Sequence, residues 1–252
     1  MGKGQRLIGV LTLFGYLLVA GISNASASDR LTALQPDERA AWSAVGMITS
    51  EGRDGAVQCS GVLVAPDLVI TAAHCTTKNT GLMDRLQFTA GLDGSRLAAS
   101  SGVVKIIRHP AWDYATGKNK LRLDLAALRL GRLIPNEKVP PAKLRAASQP
   151  LAQSGALFGY QKSADRSLHG RFGCTLTQGP LPDVITSDCK VTDGNSGGAV
   201  MANEDGEWRL AGIIVARQNP GDAAISLEVN TWLQDLVSAA EARAAQRAKA
   251  TR

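Results

Sequence analysis

From Trp42 onward, apolar residues come in short runs rich in β-branched side chains, and Gly, Pro, Asp or Asn break the chain between several of them. That rhythm predicts strands. The first series comprises Ala44–Thr49, Val57–Val64, Leu68–Ala72, Leu86–Ala90, Val103–Ile107 and Leu125–Leu130, with Ala65-Pro66-Asp67 as one of the breaks. A Pro-containing link follows from Lys138 to Pro150. The second series runs through Gly155–Tyr160, a stretch near Cys174, Val184–Cys189, Gly197–Ala202, Trp208–Ala216 and Ala223–Val229. Two series of about six strands on either side of a link predict two closed or nearly closed β units. The period then changes: Trp232, Leu233, Leu236, Val237 and Ala240 share one stripe of a helix, with Gln234, Asp235 and Glu241 off it. The expected organisation is a strap over 28–41, a first β unit over 42–137, a link over 138–151, a second β unit over 152–230, and a helix with a basic tail over 231–252.

The N-terminus changes the picture of where the chain works. Lys3 and Arg6 precede an uncharged run, Leu7–Ile22, and Asn24-Ala25-Ser26-Ala27 offers a small-x-small cleavage site after Ala27. This is the layout of a secretory signal peptide over 1–27. The apolar run is shorter than the ~20 residues a spanning helix needs, so no stable membrane insertion is expected after cleavage. Export to the periplasm or beyond is expected instead. Apolar residues make up 44% of the chain, enough for a packed core. The formal charge of +6 falls to +4 (26 cations against 22 acids) once Lys3 and Arg6 leave with the leader. Arg243, Arg247, Lys249 and Arg252 cluster at the C-terminus, where a basic run is usually a solvated end. The body carries no basic patch interleaved with aromatics, so nucleic acid is not an expected partner.

Cys59, Cys75, Cys174 and Cys189 include no C-x-x-C pair, and His74, His109 and His169 are the only histidines. A zinc site is therefore not expected. An exported chain with an even cysteine count favours disulfides. Three pairings are possible. The sequential one, Cys59 with Cys75 and Cys174 with Cys189, is favoured; it closes two loops of about 16 residues, each contributing about 3 kcal/mol by the chain-entropy argument.

Three segments carry candidate chemistry. Thr71-Ala72-Ala73 lead small side chains into His74 at a strand end bracketed by Cys59 and Cys75. Asp124 stands on the threshold of the apolar Leu125-Ala126-Ala127-Leu128, where an unpaired carboxylate would be costly to bury. Thr192-Asp193-Gly194-Asn195-Ser196-Gly197-Gly198 sets one serine among glycines. Alone, a histidine after a strand is usually structural, an acid before a strand is usually capped, and a Gly/Ser cluster is usually a loop. Together they suit acyl transfer. A serine hydroxyl needs a base to take its proton during attack, and imidazole ionises near the right pH. A carboxylate on the far ring nitrogen fixes the tautomer. Glycine before the serine leaves room for backbone N–H groups to face a developing oxyanion.

With TAAHC, DLAAL and GNSGG in this order, the chain resembles the trypsin-like (chymotrypsin-fold) serine proteases over Trp42–Ala240. Its details look closest to secreted bacterial members that resemble glutamyl endopeptidases. The resemblance implies an all-β fold of two antiparallel six-stranded β-barrels with the site in the cleft between them, and a C-terminal helix. It implies a secreted serine endopeptidase that works on protein or peptide substrates through an acyl-enzyme, with no cofactor and no metal. His74 would be general base and acid, Asp124 its orienter, and Ser196 the nucleophile, with the N–H groups of Gly194 and Ser196 as the oxyanion hole. Cys59 and Cys75 match a family disulfide flanking the histidine. Val103–Pro110, ending in His109-Pro110, resembles a family feature that leaves His109 a structural role.

The departures are informative. Family members activated by cleavage carry an aspartate before the serine, bonded by a newly released N-terminus. Asn195 stands in that place here, and no I-V-G-G stretch lies upstream of Trp42. The resemblance thus implies an oxyanion hole that forms without activation cleavage. Counting back from Ser196, Lys190 falls at the base of the primary specificity pocket, and Ile213–Arg217 aligns with its wall, without the histidine that glutamyl endopeptidases carry there. Lys190, Val215 and Arg217 are the candidate substrate-binding residues. Lys190 either attracts an acidic P1 side chain or snorkels to solvent. Arg217 either narrows the pocket or adds positive charge, so acidic and small apolar P1 residues both stay open. The rival reading is a scaffold that keeps the barrels and binds without cleaving; its usual mark is a missing triad member, and all three candidates are present.

Overall fold

The computed structural model describes residues 29–50, 57–78, 81–82, 85–146, 149–162 and 165–250; the signal peptide expected over 1–27 lies outside them. The strap begins with a short strand, β1 (Thr32–Ala33), and one turn and a half of helix, α1 (Pro36–Ala41). Pro36 opens α1 where its missing N–H costs nothing, and the Glu38 side chain accepts the Gln35 N–H at 2.9 Å.

Both strand series close on themselves. In the first, β2 (Val45–Ser50), β3 (Val57–Ala65) and β4 (Leu68–Thr71) lead into a 3-10 turn over Ala73–Thr76 and a minimal hairpin, β5 (Thr77–Lys78) with β6 (Gly81–Leu82). Next come β7 (Leu86–Ala90), β8 (Ala99–Arg108), a short helix α2 (Gly117–Arg122) and β9 (Ala126–Leu130). The barrel order is β2-β3-β4-β9-β8-β7, antiparallel throughout. Irregular register between Leu63 and Ala65, and again between Val103 and Lys105, supplies the local bend that closure requires.

The second series comprises β10 (Ser154–Tyr160), β11 (Leu168–Gln178), β12 (Val184–Lys190), β13 (Ala199–Glu204), β14 (Glu207–Arg217) and β15 (Ala223–Glu228). They run β11-β10-β13-β14-β15-β12, and the β11–β12 pairing completes the ring, with β1 added against β11. The six-stranded pair of barrels expected from the sequence is therefore present.

β10 shows how the barrels meet. Leu157 packs into the interior of the second barrel with Val200, Ile214, Ile185 and Leu176, while Ala156, Phe158 and Tyr160 join the cluster that continues into the first barrel. With both faces covered, the strand reads as a continuous apolar run rather than an alternating one. Helix α3 (Thr231–Ala250) buries Leu233, Val237 and Ala240 in the same cluster, and Asn230 accepts the Leu233 N–H at 3.1 Å as its cap. Arg243 of α3 reaches the β3–β4 turn, 3.5 Å from the buried carboxylate of Asp67. The link between barrels is held by charge: Arg145 is buried, with Nη1 2.7 Å from Glu228 and Nε 3.1 Å from Glu204. Both sequential disulfides, Cys59–Cys75 and Cys174–Cys189, are formed.

Candidate active site

The register of the first barrel brings His74 to Asp124. β4 pairs with β9 so that Thr71 faces Ala126. Continuing antiparallel from that pair, the chain after Thr71 and the chain before Ala126 advance alongside each other. His74 does not end the strand, as its sequence context suggests, but sits on the 3-10 turn that follows it. There Cys75 N–H donates to Ala72 O at 3.1 Å and Thr76 Oγ1 to Ala73 O at 2.7 Å, and the Cys59–Cys75 disulfide ties the turn back to β3. Asp124 Oδ1 accepts the backbone N–H of His74 at 2.8 Å, while Oδ2 lies 2.7 Å from His74 Nδ1. An ionised carboxylate can only accept, so a neutral imidazole in this pose donates from Nδ1 and presents Nε2 with its lone pair. The carboxylate is 8% exposed and the imidazole 40% exposed, which leaves the ring a solvent-facing side.

Ser196 lies in the loop between β12 and β13, and that loop is seated on the other barrel. Ser60 of β3 donates its N–H to Ser196 O at 2.7 Å, and Cys75 Sγ lies 3.8 Å from the same oxygen. The serine is thus packed against the disulfide adjoining His74. Gly197 (φ +81°) is required here: a Cβ would fall 2.0 Å from Ser60 O and 2.2 Å from Thr71 Oγ1. Gly194 adopts φ +96°, a conformation other residues rarely take. The N–H groups of Asn195, Gly197 and Gly198 donate to Thr192 O, Ile214 O and Asn195 O, whereas those of Gly194 and Ser196 meet no acceptor among the described residues.

Asn195 is fully buried and works in both directions. Its Nδ2 donates to Tyr160 O at 3.0 Å, and its Oδ1 accepts Thr192 N–H at 2.9 Å. Three residues that sequence reasoning missed complete the seat. Tyr160 N–H donates to Ser60 Oγ at 2.8 Å, Ser60 Oγ donates to Gly194 O at 2.9 Å, and Thr71 Oγ1 donates to Ser60 O at 2.7 Å. The Tyr160 hydroxyl reaches Leu92 of the first barrel, donating to its O and accepting from its N–H, each at 3.0 Å. Burial pushes this phenol well above its ordinary value of 10.0.

The candidate pocket residues divide. Val215 is buried at an irregularity in the β14–β15 register. Lys190 and Arg217 are partly exposed, with Lys190 Nζ 3.4 Å from Asp29 of the strap and Arg217 Nη2 3.4 Å from Asp193. His109 lies at a tilt near Trp232, ring centroids 5.9 Å apart, and its Nδ1 accepts Ala111 N–H at 3.2 Å. Cys59, His74 and Cys75 bring ligand-type atoms within 4.8 Å of one another, but both sulfurs belong to the disulfide and offer no thiolate to a metal. A cavity of about 1150 Å³ lies elsewhere, between the link (Lys143, Arg145), Glu204 and α3 (Gln234), and contains neither His74 nor Ser196.

Comparison with known proteins agrees with this architecture. A family model described as a trypsin-like peptidase domain matches residues 59–213. A trypsin-like protease of Streptomyces glaucescens is 28% identical over 208 residues, 73% of this chain and 75% of that protein. Among solved structures, a Glu endopeptidase superposes with a TM-score of 0.71 at 17% identity, covering 86% of this chain and 98% of the other. Protease Anisep from Arthrobacter nicotinovorans gives 0.65 at 18% identity, covering 79% and 96%. At these identities the two structures speak for the fold.

Proposed function

The chain belongs to the trypsin-like peptidase family and is a serine endopeptidase, and from that premise we propose that it hydrolyses peptide bonds through His74, Asp124 and Ser196 by way of an acyl-enzyme. The observation that carries the reading is the two-point hydrogen bond between Asp124 and His74, with the Ser196 loop packed on the disulfide next to that histidine. Ser196 Oγ attacks the scissile carbonyl carbon while His74 Nε2 takes the hydroxyl proton. The Asp124 carboxylate holds the ring in orientation and stabilises the imidazolium. The carbonyl oxygen becomes an oxyanion, received by the N–H groups of Gly194 and Ser196, which are otherwise without a described acceptor. Collapse of the tetrahedral intermediate breaks the C–N bond, and His74 returns the proton to the leaving amine. Water then repeats the sequence on the acyl ester and frees Ser196.

The hole forms without activation cleavage. Asn195 supports this, because its amide closes the loop onto Tyr160 and Thr192 with no ion pair to a new N-terminus. Full activity is expected of protein beginning at Ser28; an exported form inert until trimmed further would contradict it. The site of action is outside the cytoplasm, as supported by the leader layout over 1–27 and the two disulfides. Substrates are proteins or peptides. The experiment is covalent labelling with a fluorophosphonate: native protein labels and Ser196→Ala does not. Well-folded native protein that fails to label would instead be a binding scaffold.

A further inference from the structure

Two walls flank Ser196 and can be read from the backbone. On one side, β14 is bonded to the serine loop: Gly197 N–H donates to Ile214 O at 2.7 Å and Ile214 N–H to Gly198 O at 2.9 Å. Arg217 lies three residues further along β14. On the other side, Lys190 ends β12 and the chain runs through Asp193 to Ser196, with Asp193 O accepting Lys162 N–H at 2.9 Å. The turn between β14 and β15 is bonded to the chain that follows β12, where Val191 N–H donates to Asp222 O at 2.9 Å.

Charged side chains join these walls. Arg217 Nη2 lies 3.4 Å from Asp193 Oδ1, so one guanidinium crosses from β14 to the serine loop, and its Nε lies 3.7 Å from Asp222 Oδ1. Asp222 Oδ2 also accepts from Arg30 Nη2 at 3.0 Å, and Lys190 Nζ faces Asp29 Oδ2 at 3.4 Å. Lys190 and Arg217, the two cations suited by position to receive an acidic P1 side chain, therefore each face carboxylates of the chain itself. Their partners in the β12–β15 and β14–β15 pairings, Ala223 and Ala224, are small.

We infer that Arg217 and Asp193 form an ion-pair bar across the mouth of the primary specificity pocket, so that the enzyme accepts small uncharged P1 residues and rejects large and acidic ones. The inference rests on the proposed catalytic reading and adds its substrate class. Large side chains meet the bar. Acidic ones meet Asp193 at the entrance and find Lys190 and Arg217 already paired. Because the bar is solvent-exposed, at 45% for Arg217 and 75% for Asp193, salt weakens it.

The test compares kcat/KM on matched fluorogenic peptides that differ only in P1: Ala, Phe or Glu. The wild type is expected to prefer Ala by about tenfold or more over each of the others. Arg217→Ala raises the Phe/Ala ratio by about tenfold, and Asp193→Asn, which releases the guanidinium from the opposite wall, raises the Glu/Ala ratio by a similar factor. Should one variant fail to fold, the other still tests the bar. Wild type cleaving Phe or Glu peptides as well as Ala, or variants that leave both ratios unmoved, overturns the bar. Fluorophosphonate labelling of the same wild-type preparation separates the two levels: labelled protein with the wrong P1 order sinks the bar alone, whereas unlabelled folded protein sinks the catalytic reading and the bar with it.

Discussion

The two barrels share a strand count and antiparallel pairing, yet they present their candidate catalytic residues by different means. In the first, His74 and Asp124 lie just beyond β4 and β9, strands that pair directly, and a disulfide locks the turn that carries the histidine. The acid–imidazole geometry follows from the register of a single barrel. In the second, Ser196 lies in an irregular loop whose shape depends on positive φ at Gly194 and Gly197. Its seat is borrowed: Ser60 and Thr71 come from the first barrel, and Tyr160 bridges to Leu92. The position of the serine is thus a property of the interface. Perturbing one barrel's interior and perturbing the interface should have different signatures.

The largest effects test whether the barrels supply one device. Ser196→Ala and His74→Ala are each expected to lower kcat by about 10⁶, and the double replacement by little more, because each alone removes the same proton transfer. Asp124→Asn is expected to lose about 10⁴, since an amide can donate to Nδ1 and favours the wrong tautomer. Single-turnover kinetics on a peptide ester measures all four. Additive losses in the double variant would mean the two residues act independently.

Next come interface changes that leave every triad candidate in place. Asn195→Asp puts a carboxylate at a fully buried site where the native amide donates to Tyr160 O. The loop must shift to relieve it, and kcat is expected to fall by about 10² to 10³, the loss typical of one oxyanion donor. Gly197→Ala drives a Cβ into Ser60 O and strains a left-handed backbone. It is expected to cost about 3 kcal/mol of stability, read as a lowered denaturant midpoint. Cys59→Ser with Cys75→Ser makes the contrasting change at the turn that carries His74, and also alters the Cys75 Sγ contact with Ser196 O. It is expected to lose a similar ~3 kcal/mol together with the fixed pose of His74, so kcat falls even though the serine loop retains its own hydrogen bonds. An unchanged kcat would show that the strand register alone holds the histidine.

What could be read in the sequence follows the same division. Leu86–Ala90 has the predicted bounds because its apolar and β-branched residues sit between breaks. β8 begins at Ala99, earlier than expected, since Ala99-Ser100-Ser101-Gly102 has no apolar signal and becomes strand only through pairing with β7. β11 was legible only around Cys174: its Gly170 and Gly173 and its polar positions hide a strand made by neighbours on both sides. α1 and α2 are too short for a helical period, although Gln35-Pro36-Asp37-Glu38 does hold the start signal of α1. His74, Asp124 and Ser196 could be proposed because residue type and local context suit that chemistry. Thr71 showed only its small size before His74, its partner Ser60 lying 11 residues back on β3. Ser60 and Tyr160 could not be named, because each is a polar group inside an apolar run whose partner comes from far along the chain. Arg145 was hidden for the same reason, its acids lying in β13 and β15.

Tyr160 gives the mildest and most selective test of the interface. Tyr160→Phe keeps the ring and the backbone bonds to Ser60 and Asn195, and removes only the hydroxyl that meets Leu92. The loss is expected to be about 1 to 2 kcal/mol at neutral pH, because Leu92 N–H and O are left unpaired in a buried place. The pH dependence has a definite sign. Burial raises the folded phenol above the ordinary 10.0, so the folded protein holds a proton that the unfolded chain releases. That contribution is fully present below pH 10.0 and disappears as pH rises through the folded value. Wild-type stability should therefore fall more steeply than that of Tyr160→Phe above about pH 10, and the gap between their denaturant midpoints should narrow. If the gap instead held constant with pH, the hydroxyl would be titrating as freely in the folded protein as in the unfolded chain, and the interface around it would be open to water rather than sealed beneath the serine loop.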